Sequence, residues 1–217
     1  MVLKLYAVGY VGGGSAIVAL VLAEKKIPFE LVVVDLEAKE QKTPKFLTKN
    51  PFGQVPVIDD DGFILYESRA ICRYLAEKYA NQGTPLLPEG LKERALVEQA
   101  ASVELANFKP ALVKVGRELG KPRRGLPVDQ AVLAEALAEL GAKLDVYEVI
   151  LGKHKFLSGD EFTLADLFHL IYAKPIAASG LDFMTSRGPN VKRWWNELIS
   201  RAAWVNLVAE GIKGTVS

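Results

Sequence analysis

Two short runs hold the residues best suited to chemistry. Asn50-Pro51-Phe52-Gly53-Gln54-Val55-Pro56 reads as a loop that enters a strand at a Val-Pro bond. Ten residues beyond Pro56, Tyr66-Glu67-Ser68-Arg69-Ala70-Ile71 opens an apolar-periodic helix. A Val-Pro bond adopts the cis form at modest cost, because the tertiary amide removes most of the trans preference. In that form the Val55 N–H and C=O turn outward and can pair with an extended peptide, as in strand addition. Glu67 and Ser68 stand where a helix N-terminus leaves N–H groups unpaired, a natural seat for a carboxylate. Together the two runs describe a pocket for a small anionic peptide. A third run, Gly9-Tyr10-Val11-Gly12-Gly13-Gly14-Ser15, falls in the turn between the first strand and the first helix. It lacks both the lysine of a phosphate-binding loop and the spacing of a dinucleotide fingerprint.

These runs need a scaffold, and composition bounds it. The chain has 217 residues, 50% of them hydrophobic, enough to fill the core of one large domain or two small ones. A net charge of +1 gives no electrostatic reason to expect nucleic acid or an acidic membrane as partner. No N-terminal stretch combines a basic start, an apolar middle and a small-residue cleavage site. The apolar run Ala16 to Ala23 is far too short to span a bilayer. One cysteine, Cys72, excludes an internal disulfide framework and a Cys-x-x-Cys redox pair. Two histidines, His154 and His169, with no cysteine cluster, give no metal-site spacing. A soluble cytoplasmic protein without a metal is the plain reading.

Val2 to Val8 alternates and carries β-formers, which predicts a strand. Ser15 to Lys25 predicts a helix, and the glycines before it suit a sharp strand-to-helix turn. Phe29 to Val34 is an apolar β-branched run of the kind found in buried parallel strands. Lys42 to Thr48 reads as a short helix closed by Asn-Pro. Val55 to Asp59 and Phe63 to Tyr66 flank the hairpin turn Asp60-Asp61-Gly62, and Arg69 to Tyr79 returns to helical spacing. The order βαβ, α, ββα combines a right-handed parallel crossover with an antiparallel hairpin, the thioredoxin-like pattern. The predicted architecture is therefore an α/β thioredoxin-like domain over residues 1–80, a turn-rich linker over 81–90, and an all-helical domain over 91–217. In the last of these, helices are predicted over Leu91 to Glu118, Val128 to Leu151, Leu164 to Ala173 and Asn190 to Ser200, with a short terminal helix after them. Thr163 fits an N-cap with Asp166 at N3.

NPFGQVP and ESRAI, taken in register, closely resemble the soluble (cytosolic) glutathione transferases, and the phi class of plants and fungi in particular. The likeness extends to Ala23-Glu24-Lys25 with Pro28-Phe29-Glu30-Leu31-Val32, and downstream to residues 103–110 (VELANFKP) and 156–166 (FLSGDEFTLAD). It covers almost the whole chain. The resemblance implies an enzyme that conjugates the glutathione thiolate to apolar electrophiles, in detoxification and stress response. Glutathione is then a co-substrate, hydrophobic small molecules are the other partners, and no cofactor is tightly bound. It implies Gln41 and Lys42 for the glycyl carboxylate, Gln54 and Val55 with Pro56 for the peptide backbone, and Glu67 and Ser68 for the γ-glutamyl end. These types fit: Lys42 supplies a charge, Val55 its main chain, Ser68 a hydroxyl at a helix N-terminus, and Glu67 an acceptor for the ammonium. The resemblance also implies a homodimer in which Phe52 enters the partner subunit, ordinary loop packing being the other reading of Phe52. Phe108, Leu112 and Val115 recur on one helix face, which makes core packing their default reading. In the family that helix borders the electrophile pocket, so all three join Tyr10 and Val11 as candidates for the hydrophobic substrate site.

The thiol end departs from the family pattern. A serine usually follows the first strand and donates to the thiolate; counting back from Ala23-Glu24-Lys25, that place falls on Gly12. Ser15, Tyr10 and Tyr6 are substitute donors. A second route needs no side chain: N–H groups of Gly12, Gly13 and Gly14 at a helix N-terminus favour a thiolate over a thiol. Lowering a thiol pKa of about 8.5 by two units supplies roughly 2.7 kcal/mol, comparable to the roughly 1.5–3 kcal/mol of one hydrogen bond to a charged group. Reduced or specialised conjugation is therefore expected. The alternative is a glutathione-gated carrier of apolar molecules with weak or lost conjugation. Cys72 reads as a buried, inert thiol. His154 and His169 read as structural or solvated, and Trp194, Trp195 and Trp204 as core.

Overall fold

Leu3, Leu5 and Ala7 alternate with Lys4 and Tyr6, so β1 (Leu3–Ala7) turns three buried apolar side chains to one face. The computed structural model describes residues 2–216; Met1 and Ser217, the outer ends of the two predicted domains, lie outside the described residues. β1 pairs in parallel with β2 (Phe29–Val33) and antiparallel with β3 (Val57–Asp60), which pairs antiparallel with β4 (Phe63–Tyr66). The sheet order is β2-β1-β3-β4, the mixed sheet that the βαβ and hairpin patterns predict. Asp61 and Gly62 both take positive φ, as the tight hairpin turn requires.

The crossover helix α1 (Gly13–Glu24) is buried from Ser15 to Leu22 without interruption, as a helix apolar on every side must be. The predicted helix over Lys42 to Thr48 is resolved into a 3-10 turn at Glu40–Lys42 and α2 (Pro44–Leu47), the latter capped by the Thr43 side chain. α3 (Ser68–Lys78) packs on α1 and buries Cys72 completely; burial pushes that thiol's pKa up and leaves it inert. Phe46 of α2 joins Val34 and Val57 in a second small core, edged by Tyr6 and Val55.

The predicted helix Leu91 to Glu118 forms as α4 (Leu91–Val103), a π-helical segment Glu104–Phe108, and α5 (Lys109–Leu119). Pro110 supplies a physical reason for the interruption, since it has no N–H to close an α-helical bond. α6 (Gln130–Leu151) starts at an Asp129 cap. The stretch predicted as Leu164 to Ala173 divides into α7 (Leu164–Leu167), a 3-10 turn Leu170–Tyr172 and α8 (Ala173–Ser179). α9 (Pro189–Ile199) and α10 (Ala202–Glu210) are the last helices among the described residues.

Packing divides the molecule differently from the predicted boundaries. Residues through Leu87 cluster with those from Ser200 onward, and residues 88–199 form the second unit. α10 therefore packs with the first unit, against α1, and does not end the helical one. Buried polar contacts account for this. Arg201 grips Glu24 through two bonds of 2.7 and 2.8 Å, and the Thr84 hydroxyl donates to the same carboxylate at 2.6 Å. Buried Lys25 donates to the Ala80 and Thr84 carbonyls at 3.3 and 3.1 Å. Gly83 (φ +61°) lies so close that a Cβ there would meet the Glu24 carbonyl at 2.3 Å.

In the second unit the Phe108 ring stacks on Tyr147 and leans on His169 and Tyr172. His169 Nδ1 lies 2.9 Å from the Ala165 carbonyl, which can only accept, so Nδ1 carries the proton and Nε2 accepts from Tyr147 at 3.0 Å. The predicted Thr163–Asp166 capping box is present. Asp166 is fully buried and accepts from the Leu157 and Thr163 N–H groups, both at 3.1 Å, and from Trp194 Nε1–H at 2.9 Å. Burial pushes its carboxyl pKa up to about 6 against the pull of these donors.

Asp166→Ala would leave three buried donors without an acceptor at roughly 1–3 kcal/mol each, so a loss of about 3 kcal/mol or more is expected in urea unfolding. The folded pKa of about 6 exceeds the ordinary carboxylate value, so the folded state holds the proton to higher pH than the unfolded chain. The stability supplied by this titration is complete below about pH 4 and is lost as the pH rises through about 6. The urea midpoint of the native protein minus that of Asp166→Asn should decline over that window.

Candidate functional site

α1 starts without help from side chains. Its N-cap is Gly12, no side chain among the described residues bonds the first N–H groups of Gly13, Gly14 and Ser15, and no acidic residue lies in the first turn. Gly13 has φ +52°, which favours glycine, whereas Gly12 is extended and open to any residue. Gly14 is required by space: a Cβ there would sit 2.9 Å from the Ser68 Cβ and Oγ and 3.0 Å from Pro56 Cδ. The glycine turn, the Val-Pro corner and the start of α3 thus meet at one point. Because α1 and α3 both begin there, two helix N-termini supply positive potential to the same place.

The loop before the corner is shaped by Asn50, a residue whose role the sequence reading missed. Asn50 is buried; its Nδ2 donates to the Gln54 carbonyl at 2.8 Å and its Oδ1 accepts from Phe52 N–H at 3.0 Å. An Asn opening a turn is the signal that could have found it, since its side chain bonds backbone two residues on. Gly53 (φ +57°) leaves only 2.6 Å between a notional Cβ and the Gln41 carbonyl, so the loop lies directly on the turn that carries Gln41 and Lys42. Lys42 Nζ donates to the Phe52 carbonyl at 2.9 Å. Gln41 Oε1 is buried and, among the described residues, lacks a hydrogen-bond partner. The Val55-Pro56 bond is cis, and among the described residues the Val55 amide and carbonyl take no backbone partner.

Glu67 caps α3 with φ +69° and ψ 106°, a conformation uncommon for a residue with a side chain. Such backbone strain clusters at functional sites. Its carboxylate is exposed and Ser68 beside it is half-buried.

The candidate thiol donors are not equivalent. Ser15 is only 2% exposed, Tyr6 packs edge-on against Phe46, and Tyr10 is 64% exposed. Val11 is half-buried beside it. In the second unit Phe108 belongs to the ring cluster and is fully buried, which makes it core, while Leu112 and Val115 line an apolar cavity of about 170 Å³ with Leu119, Tyr172, Ile176 and Phe183. Phe52 is 64% exposed, its ring edge-on to Tyr66. Among the described residues no cluster of His, Cys, Asp or Glu could hold a metal, and no helix is long and apolar enough to cross a membrane.

Packing and backbone demands separate the glycines experimentally. Gly14→Ala forces Ser68 or Pro56 to move and should cost about 1–3 kcal/mol in denaturant unfolding. Gly12→Ala meets only the exposed Tyr10 ring, at 3.2 Å, and should cost well under 1 kcal/mol.

Two family models match the chain: the N-terminal domain of glutathione S-transferase over residues 1–77 and the C-terminal domain over residues 108–202. Glutathione S-transferase F11 of Arabidopsis thaliana is 47% identical over 196 residues, covering 88% of this chain and 90% of that protein. Among solved structures, glutathione transferase F7 from Populus trichocarpa superposes with a TM-score of 0.86 at 41% identity, covering 98% of this chain and all of that one. Glutathione S-transferase I from maize, solved in complex with an atrazine glutathione conjugate, gives a TM-score of 0.83 at 33% identity, covering 96% and 97%. The chain belongs to the glutathione S-transferase family and, within it, to the phi class.

Proposed function

We propose that this transferase binds glutathione across the point where Gly14, Pro56 and Ser68 meet and transfers its thiolate to apolar electrophiles. The convergence of those three segments is the observation that carries the reading. Glu67 accepts from the γ-glutamyl ammonium, and Ser68, at the start of α3, donates to the neighbouring carboxylate. The free Val55 amide and carbonyl pair with the cysteinyl backbone, with Pro56 and Gln54 flanking it. Gln41, whose buried amide oxygen lacks a hydrogen-bond partner among the described residues, and Lys42 take the glycyl end.

The sulfur then lies against the first turn of α1. The N–H groups of Gly13, Gly14 and Ser15 stabilise the thiolate, with Gly12 leaving room for it; the near-complete burial of Ser15 favours its backbone over its hydroxyl as donor. The thiolate donates its electron pair to the electrophilic carbon. With a chloronitroarene a C–S bond forms and chloride departs with the C–Cl pair. Tyr10 and Val11, beside the turn, supply apolar surface for the electrophile.

Conjugation is favoured over the carrier reading because the relatives are named transferases and the maize neighbour was solved with a glutathione conjugate. Membership of the family supports a cytoplasmic homodimer, and the exposure of Phe52 suits an aromatic key between subunits.

Turnover of a chloronitrobenzene tests the thiol assignment. Ser15→Ala should keep activity within about threefold, because a backbone donor survives the change; a loss of a hundredfold or more would return the role to the hydroxyl. On immobilised glutathione, Glu67→Ala and Ser68→Ala should each weaken binding about tenfold or more. Undiminished retention of both would sink the assignment of the γ-glutamyl end.

A further inference from the structure

The turn that leads into the first N–H groups of α1 is itself tied down from a distant segment of the chain. Among the described residues, the backbone donor to the segment Gly9–Val11 is the Ile212 N–H, which bonds the Gly9 carbonyl at 3.2 Å. Ile212 is buried, 3% exposed, and Gly211 before it (φ +78°) passes so close that a Cβ would stand 3.1 Å from the same Gly9 oxygen. Beyond Ile212 the chain is stitched to the start of β2. Thr215 N–H donates to the Phe29 carbonyl at 2.9 Å, and Phe29 N–H donates to the Thr215 hydroxyl at 2.8 Å. Gly214 admits no side chain, since a Cβ would meet Leu31 N at 2.8 Å. Upstream, α10 is held to α1 by the Arg201–Glu24 pair. Residues 211–216 thus form a strap with fixed anchors on both sides of its contact with Gly9.

We propose that this strap, through Ile212, positions the Gly9–Gly12 turn so that the first N–H groups of α1 stay aimed at the glutathione sulfur. Ile212 is a positioning residue and touches no substrate. The inference rests on the proposed role of that turn in thiolate stabilisation. The γ-glutamyl and glycyl ends are held by other segments, at Glu67–Ser68 and Gln41–Lys42, so loosening the strap weakens activation of the thiol and spares recognition of the rest of the tripeptide.

Ile212→Pro removes the N–H, Gly211→Ala crowds the Gly9 oxygen, and Ile212→Val keeps both the N–H and most of the apolar side chain. The pH profile of kcat/KM for a chloronitrobenzene at saturating glutathione reports the pKa of the bound thiol. Its acid limb should move up by about half to one unit in Ile212→Pro and Gly211→Ala, a loss of about three- to tenfold near pH 6 that vanishes at high pH. Ile212→Val should follow the native profile. Binding of S-methylglutathione, which has no ionisable thiol, should change less than about twofold throughout. An unmoved acid limb in both strap variants, or a parallel fall in S-methylglutathione binding, overturns the proposal. If Ile212→Pro does not fold, Gly211→Ala decides. Gly14→Ala separates the two readings: a shifted limb there with unshifted strap variants defeats the strap alone, whereas no shift in any of the three defeats the role of the turn as well.

Discussion

Position 14 has room for a hydrogen atom and nothing larger, and the first unit is arranged around that restriction. Gly14 brings the first turn of α1 against Ser68 and Pro56, so three segments far apart in sequence share one contact. Two helices start at that contact, and their N-terminal N–H groups favour anionic ligands. The nearby lysine, Lys42, already donates to the Phe52 carbonyl. The preference for negative charge at that contact comes from backbone geometry, and backbone groups require no reorganisation when charge develops.

Each unit is secured by a buried ionisable group whose partners are assembled from distant segments. In the first, Glu24 at the end of α1 holds Arg201 and Thr84, and Lys25 beside it holds two carbonyls of the segment leaving α3. Burial alone would raise the Glu24 pKa, yet the hydrogen bonds and charge of Arg201 and the Thr84 hydroxyl bring it below the ordinary value. In the second, Asp166 gathers Leu157, Thr163 and Trp194. Removing one partner from such a group leaves a buried charge or donor uncompensated, which costs far more than the intact arrangement contributes.

Most of the first unit was legible because its signals are local. Alternation in β1, the apolar run of α1 and the Asp-Gly hairpin turn each obey a period or a turn rule. The cis Val-Pro corner and the place of Glu67 at a helix start were reachable from residue type and position, whereas the positive φ of Glu67 was not. What escaped depends on contacts between distant segments. The return of α10 to α1 rests on an arginine and a glutamate 177 residues apart, which no periodicity reveals. The π segment ahead of Pro110 and the division of the α7–α8 stretch are matters of backbone register, which side-chain periodicity resolves poorly. Phe108 illustrates the ambiguity of an apolar stripe: its spacing suits a ligand wall and a core alike, and only the ring stack with Tyr147 decides.

The strap at Phe29 has a further effect on how the protein behaves at high concentration. β2 is an outer strand of the sheet, and an outer strand offers unpaired N–H and C=O groups to any extended chain nearby. Thr215 and Val216 occupy the groups of Phe29, and Gly214 lies against Leu31, so part of that template is already filled from within the same molecule. The Lys4–Glu30 pair adds charge on the exposed face of the same strand. The tail thereby guards the sheet against edge-to-edge polymerisation, and a chain deprived of it would turn an aggregation-prone border to its neighbours.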